Sequence, residues 1–191
     1  MDHFLADLLD ALVRLDAVTM ERIVAWRSPL ATKLLTSATG LGSATAALVF
    51  VGVCYLAGWD EEYRHALVGL ALSGVVVGTL MLTIARPFPP QPVCLTGGSE
   101  TVATSFPSGH AAAVTVYAMT ARRSETLPAG VVTALAGAVA FSRIYLGTHY
   151  LTDTVVGVAI GIAAFLLAEQ LLARVDVTAL ERRASEAVGR E

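Results

Sequence analysis

The sequence predicts an all-α membrane protein, a polytopic bundle of five spanning helices preceded by an amphipathic helix at the membrane interface. Three observations carry that expectation. The 191 residues are 55% hydrophobic and only 15% charged, and their mean hydropathy is +0.65. The apolar residues also fall in long blocks instead of the period-2 or narrow 3.6 pattern of soluble elements. No internal repeat is visible, and the chain reads as one domain, 1–191.

Residues 1–27 come first and behave differently from the rest. Phe4, Leu5, Leu8, Leu9, Leu12, Leu15 and Ile23 share one helical arc, and His3, Asp7, Asp10, Arg14 and Glu21 occupy the other. This patterning predicts a helix lying in the interface plane, with packing on the bundle or on a soluble partner as the other reading it allows. A cleaved signal peptide is not expected, because the segment lacks a basic n-region, a continuous apolar core and a small-residue cleavage site.

Long apolar blocks then follow at 34–57, 65–85, 109–121, 128–144 and 153–174, the 34–174 bundle. Gly58-Trp59-Asp60-Glu61-Glu62 separates the first two, Arg122-Arg123-Ser124-Glu125 with Pro128 the third from the fourth, and Gly147-Thr148 precedes the fifth. The block at 109–121 is short: at about 1.5 Å per residue it reaches about 20 Å across a core roughly 30 Å thick. Its start at Ser108-Gly109 should therefore lie below the outer boundary, in a recess. Residues 175–191 form a polar tail.

Threading these helices places 58–64, 122–127 and 175–191 on one face, and 87–107 with 145–152 on the other. Arg64, Arg122, Arg123, Arg174, Arg182, Arg183 and Arg190 lie on the first face, and the 87–107 loop has no Lys or Arg. The positive-inside bias makes the first face cytoplasmic, although Arg14, Arg22, Arg27 and Lys33 run against it, and the second face extracytoplasmic in the plasma membrane. Cys94 belongs to the second face and Cys54 lies about 30 Å away near the far end of its helix, so no disulfide is expected. A net charge of −3 with dispersed acidic residues and no basic run excludes a nucleic-acid partner and a polybasic lipid patch.

The chemistry sits on the second face. Arg86-Pro87, Pro107-Ser108-Gly109-His110, and Ser142-Arg143 followed by His149 and Asp153 bring two arginines, two histidines and a carboxylate to the edges of apolar blocks. Such charge at a buried edge is costly unless an anion occupies it. Arg86 and Arg143 offer planar forks for phosphate oxygens. Ser108 and Gly109 open a helix whose first N–H groups and dipole attract an anion. His149 precedes Asp153 by four residues, a separation expected to let the carboxylate take one ring N–H and leave the other nitrogen as a nucleophile. His110, at the mouth of a different helix, is placed to protonate the leaving oxygen and later to activate water.

Alone, each fragment has an ordinary reading: a snorkelling arginine, a turn, a surface hydrogen bond. Their co-location on one face is what those readings do not supply. A metal held by His110, His149 and Asp153 is the sharper competitor, but two nearby arginines would repel a divalent cation. Neither a metal nor a cofactor is expected.

These fragments resemble the three signature motifs of the type 2 phosphatidic acid phosphatase superfamily, over Thr79 to Asp153. The resemblance implies a helical bundle, a metal-independent phosphohistidine mechanism, and a lipid phosphate such as phosphatidate, phosphatidylglycerol phosphate or polyprenyl pyrophosphate as substrate. It also implies His149 as nucleophile, Asp153 as its orienting partner, His110 as acid, and Arg86, Ser108, Gly109 and Arg143 as phosphate ligands. One departure stands out, because the family's lysine seven residues before the arginine is Thr79 here. Thr79 is left with at most one hydrogen bond to phosphate. A phosphotransferase using a polyprenyl pyrophosphate, and a non-catalytic lipid-phosphate binder or transporter, are the alternatives.

Overall fold

The computed structural model describes residues 2–93 and 104–174. Among them are seven α-helices: α1 (Asp2–Ala25), α2 (Pro29–Thr39), α3 (Ala44–Leu56), α4 (Asp60–Thr83), α5 (Gly109–Arg123), α6 (Ala129–Tyr145) and α7 (Leu151–Arg174). Cys94 and the 175–191 tail lie outside the described residues, and Cys54 is buried in α3 as a free thiol.

The expected continuous helix over 34–57 is two helices bent by 60°. Gly40 and Gly42 flank Leu41 in a 3-10 turn, and Ser43 then opens a new helix by accepting from the Ala46 amide at 3.2 Å. Two glycines and a capping serine give the chain a stop and a restart inside an apolar run. Ser28 caps α2 in the same way, from Ala31 at 3.3 Å with Pro29 next. At the other end of α3, Asp60, Glu61 and Glu62 form the first turn of α4 instead of a loop, where acidic side chains favour the positive end of the helix dipole.

Residues of α5 make the centre. Ala111, Ala112, Val114, Val116 and Ala121 are buried, with α4, α6 and α7 packed around them. Its polar residues are satisfied locally: Thr115 donates to the Ala111 carbonyl at 2.7 Å and Thr120 to Val116 at 2.9 Å. α7 approaches α5 through two glycines one turn apart. A methyl on Gly161 would stand 2.5 Å from the Ala112 carbonyl oxygen and 2.7 Å from Thr115 Cβ, and one on Gly157 would strike the Ser108 carbonyl. Small residues spaced this way let backbones meet in a membrane, where apolar attraction between helices is weak.

The outside of the bundle is apolar. Leu48, Leu56, Val75, Leu82, Leu135 and Val155 are all exposed, as expected where lipid is the solvent. By length and composition α4 and α7 can each cross a membrane, and the bent α2–α3 pair would make a third crossing. α6, at 17 residues, is apolar but shorter, and α5 has 15. The five expected full-length spans are thus not all of spanning length.

α1 docks through a narrow contact. Among its described side chains only Asp16 and Met20 are buried. Phe4, Leu8, Leu9, Leu12 and Leu15 of the apolar arc are exposed, turned away from the bundle.

Candidate active site

Two loops and two helix ends converge at the start of α5. After α4 the chain is pinned to the segment that precedes α5. The Arg86 amide donates to Thr104 Oγ1 at 3.1 Å, Thr104 donates to the Ile84 carbonyl at 2.7 Å, and the Ser105 amide donates to the Arg86 carbonyl at 2.8 Å. Phe106–Pro107 is a cis peptide, and Ser108 caps α5 by accepting from Ala111 at 3.4 Å. The Ser108 amide is not free for an anion, because it donates to the Asp153 carbonyl at 3.1 Å. The amides of Gly109 and His110 remain as first-turn groups beyond the reach of any helix carbonyl.

At the end of α6 the Arg143 carbonyl gathers the next turn. It accepts from the Thr148 and His149 amides at 3.1 Å and from Thr148 Oγ1 at 3.0 Å. Gly147 closes that turn with φ +72, and a side chain there would also meet Arg27 Nη2 at 2.8 Å. Arg143 itself is buried, and its Nη1 donates to Thr39 Oγ1 at 2.8 Å, at the α2 end of the break. The imidazole of His110 rests on the same break: a Cβ on Gly42 would lie 2.8 Å from His110 Cβ and 2.9 Å from its Cδ2. The charge of Arg143 acts on both imidazoles.

His149 is 5% exposed, and its orientation corrects the expected dyad. Nδ1 lies 2.5 Å from the Ser105 carbonyl oxygen and 4.0 Å from Asp153 Oδ2. α7 begins only at Leu151, so the four-residue separation is not a helical one, and Asp153 Oδ2 instead accepts from the Tyr150 amide at 2.8 Å. A carbonyl can only accept, so Nδ1 carries the proton and Nε2 keeps its lone pair. The Ser105 carbonyl, not Asp153, is the orienting partner of the ring.

Asp153, fully buried, pairs with Arg86, whose Nη1 donates to Oδ1 and also to Thr152 Oγ1 at 2.8 Å. Arg86 Nη2 donates to Asp16 Oδ2 at 2.5 Å, and its guanidinium carbon sits 4.2 Å from the centre of the Tyr150 ring. Burial opposes the guanidinium charge, yet Asp16 and Asp153 more than offset it and raise Arg86 above its ordinary value. Thr79 is not brought to this set. It is exposed on α4, and its hydroxyl donates to the Val75 carbonyl at 2.8 Å.

Burial, with the charge of Arg143 next, pushes the His149 imidazole down to about 3 from 6.5. The ring is therefore neutral at ordinary pH. Between these values the unfolded chain binds a proton that the folded chain refuses, so this contribution to stability is complete above pH 6.5 and is lost as pH falls toward 3. Melting temperature in detergent should decline across that window, and His149→Asn should flatten the decline. An unchanged slope in the variant would count against a buried neutral ring.

Four contributors had no prominent signal in the sequence. Asp16 and Thr39 reach the arginines from far along the chain, Ser105 acts through its backbone carbonyl, and Gly42 through lacking a side chain. The Gly40-Leu41-Gly42-Ser43 string was the one local clue.

A sequence model of the PAP2 superfamily matches residues 62–175. Two curated relatives, the decaprenylphosphoryl-5-phosphoribose phosphatases of Mycobacterium tuberculosis strains CDC 1551 and H37Rv, are 32% identical over 114 residues, 60% of this chain. The chain spans 63% of their length. Among solved structures, the transmembrane PAP2 type phosphatidylglycerolphosphate phosphatase of Bacillus subtilis superposes with a TM-score of 0.72 at 23% identity, covering 87% of this chain and 88% of that one. LpxE of Aquifex aeolicus gives 0.66 at 22%, covering 79% and 92%. At these identities the two structures speak for the fold alone.

Proposed function

This chain belongs to the PAP2 superfamily, and we propose that it is an integral-membrane phosphatase hydrolysing a lipid phosphate or polyprenyl pyrophosphate through a phosphohistidine. One observation carries the lipid half of the reading. A cleft of about 540 Å³ between α3, α4 and α5 runs past Leu48, Leu67, Leu70 and Val77 and ends on Gly109 and His110. An apolar tail lying there brings its phosphate to the imidazole.

In this reading His149 Nε2 attacks phosphorus and forms a P–N bond as the bond to the lipid oxygen breaks. His110 gives that oxygen its proton. His110 then takes a proton from water, whose oxygen attacks phosphorus, and the P–N bond breaks to return neutral His149 and free phosphate. Arg86, Arg143 and the Ser108-Gly109 helix start hold the equatorial oxygens, where positioning and charge are most of the catalysis. Asp153 acts at one remove, through Arg86 and the Tyr150 turn. α5 and α6 cross the membrane with the longer helices, and α1 lies in the interface with Phe4, Leu8 and Leu12 toward lipid. The site opens on the extracytoplasmic side of the plasma membrane.

A phosphate-release panel in detergent tests this. It comprises phosphatidate, phosphatidylglycerol phosphate, polyprenyl mono- and pyrophosphate, and a polyprenyl-linked sugar phosphate chosen from the curated relatives' name, each with and without EDTA. We expect release from at least one lipid without an added acceptor and with no effect of the chelator. Failure on every lipid, or a strict divalent requirement, would overturn the reading.

A further inference from the structure

We propose that Asp16 is a positioning residue for phosphate binding, reaching from α1 to fix the Arg86 guanidinium so that one free edge faces the anion. The assignment rests on the phosphatase reading and adds to it a residue outside the matched region, which starts at 62. Asp16 is 2% exposed, the one buried charged residue among the described side chains of α1. Both its oxygens are committed. Oδ1 accepts from the Thr152 amide at 3.0 Å, and Oδ2 accepts from Thr152 Oγ1 at 2.5 Å and from Arg86 Nη2 at 2.5 Å. The first of these satisfies an amide in the opening turn of α7 that has no partner inside its own helix.

Counting the guanidinium's five N–H groups shows what this achieves. Nη1 spends both on Thr152 and Asp153, and Nη2 spends one on Asp16. Among the described residues nothing accepts from Nε–H or from the second Nη2–H. Thr152 Oγ1 is bonded to both Nη1 and Asp16 Oδ2, which sets Asp16 on the Nη1 side of Nη2 and leaves the other two N–H groups parallel along one edge, the pair that takes two phosphate oxygens at once. The Tyr150 ring covers a face of the same group. Arg86 sits on a loop and its side chain is 24% exposed, so the ring, the Thr152 hydroxyl and two carboxylates are what hold it. Thr152, Asp153 and the ring belong to the α6–α7 side, and Asp16 is the clamp contributed by α1. Without it, Nη2 is released and the free edge loses its aim.

Orthovanadate, which mimics the phosphoryl group in transfer, reads this without turnover. We expect Asp16→Asn to weaken its stabilising effect on melting temperature on the order of tenfold in apparent affinity, the scale of one charge-assisted hydrogen bond. In an Arg86→Ala background the same substitution should have no further effect, since Asp16 acts through that side chain. Met20→Ala, which loosens α1 through its other buried residue, should lower the unliganded melting temperature and leave vanadate affinity unchanged. Equal, additive losses with and without Arg86, or a Met20→Ala loss as large as that of Asp16→Asn, would reduce Asp16 to a structural tether. Tighter vanadate binding in Asp16→Asn would make it a competitor for Arg86, and also overturns the proposal. A wild-type protein that binds vanadate yet releases no phosphate from any lipid sinks the phosphatase reading and leaves this assignment standing.

Discussion

His149→Ala should reduce phosphate release by about 10⁴-fold or more, the scale seen when a covalent nucleophile is removed from an enzyme that keeps its electrostatic pocket. The expectation follows from three features of the ring. It is neutral at ordinary pH because burial and the nearby Arg143 charge disfavour a second proton. Its one proton is held on Nδ1 by the Ser105 carbonyl at 2.5 Å, so the lone pair is always on Nε2. It also shares the Arg143 charge with His110, so in the proposed reading an anion held at that guanidinium sits beside both imidazoles.

His110→Ala should behave differently. Loss of a general acid costs about 10²- to 10⁴-fold, and the loss depends on how badly the leaving oxygen needs a proton. With p-nitrophenyl phosphate, whose leaving group departs as an anion, the His110→Ala defect should shrink. The His149→Ala defect should persist, because no leaving group replaces a missing nucleophile. Release within tenfold of wild type in His149→Ala, with a normal melting temperature, would remove the phosphohistidine step.

The sequence made the arginine and histidine cluster legible because those residue types are expensive at the edge of apolar blocks, so each stood out against its surroundings. Helix ends were readable for α5, α6 and α7 within two residues, since Ser108, Pro128 and Gly147-Thr148 are local punctuation. The α2–α3 break was not read, although Gly40, Gly42 and Ser43 were present, because hydropathy averaged over a long window hides a three-residue turn. That break then supplies Thr39 to Arg143 and a bare backbone under His110.

Asp16 was hidden for a different reason. It lies 70 residues from Arg86 and sits among exposed acidic residues that give α1 its amphipathic look, so nothing local separates it from Asp7 or Asp10. The His149–Asp153 pairing was misread because four residues imply a shared face only inside a helix, and α7 starts between them.

Gly157→Ala should destabilise the protein and lower phosphate release together, against the usual preference for alanine in a helix. Propensity alone favours alanine by about 1 kcal/mol. Opposing it, the new methyl would run into the Ser108 carbonyl oxygen and stand 3.1 Å from Ala111 Cβ. The obstacle is mostly backbone at a helix start and cannot turn aside as a flexible side chain would. Overpacking of this kind costs about 1–3 kcal/mol, and separating α7 from Ser108 also strains the Ser108–Asp153 backbone hydrogen bond of 3.1 Å, worth about 1 kcal/mol. The clash outweighs the propensity gain, with a net loss of about 1–3 kcal/mol. The strain falls on the junction that positions Asp153, the Ser108 cap and the first-turn amides, so kcat should fall even in the fraction that remains folded. Gly137→Ala is the control, since that glycine has nothing within 4 Å; there propensity acts alone, and stability should hold or rise. Melting temperature and kcat measured on both variants decide the matter: a Gly157→Ala protein as stable and active as wild type would show that α5 and α7 can part without disturbing the proposed phosphate site.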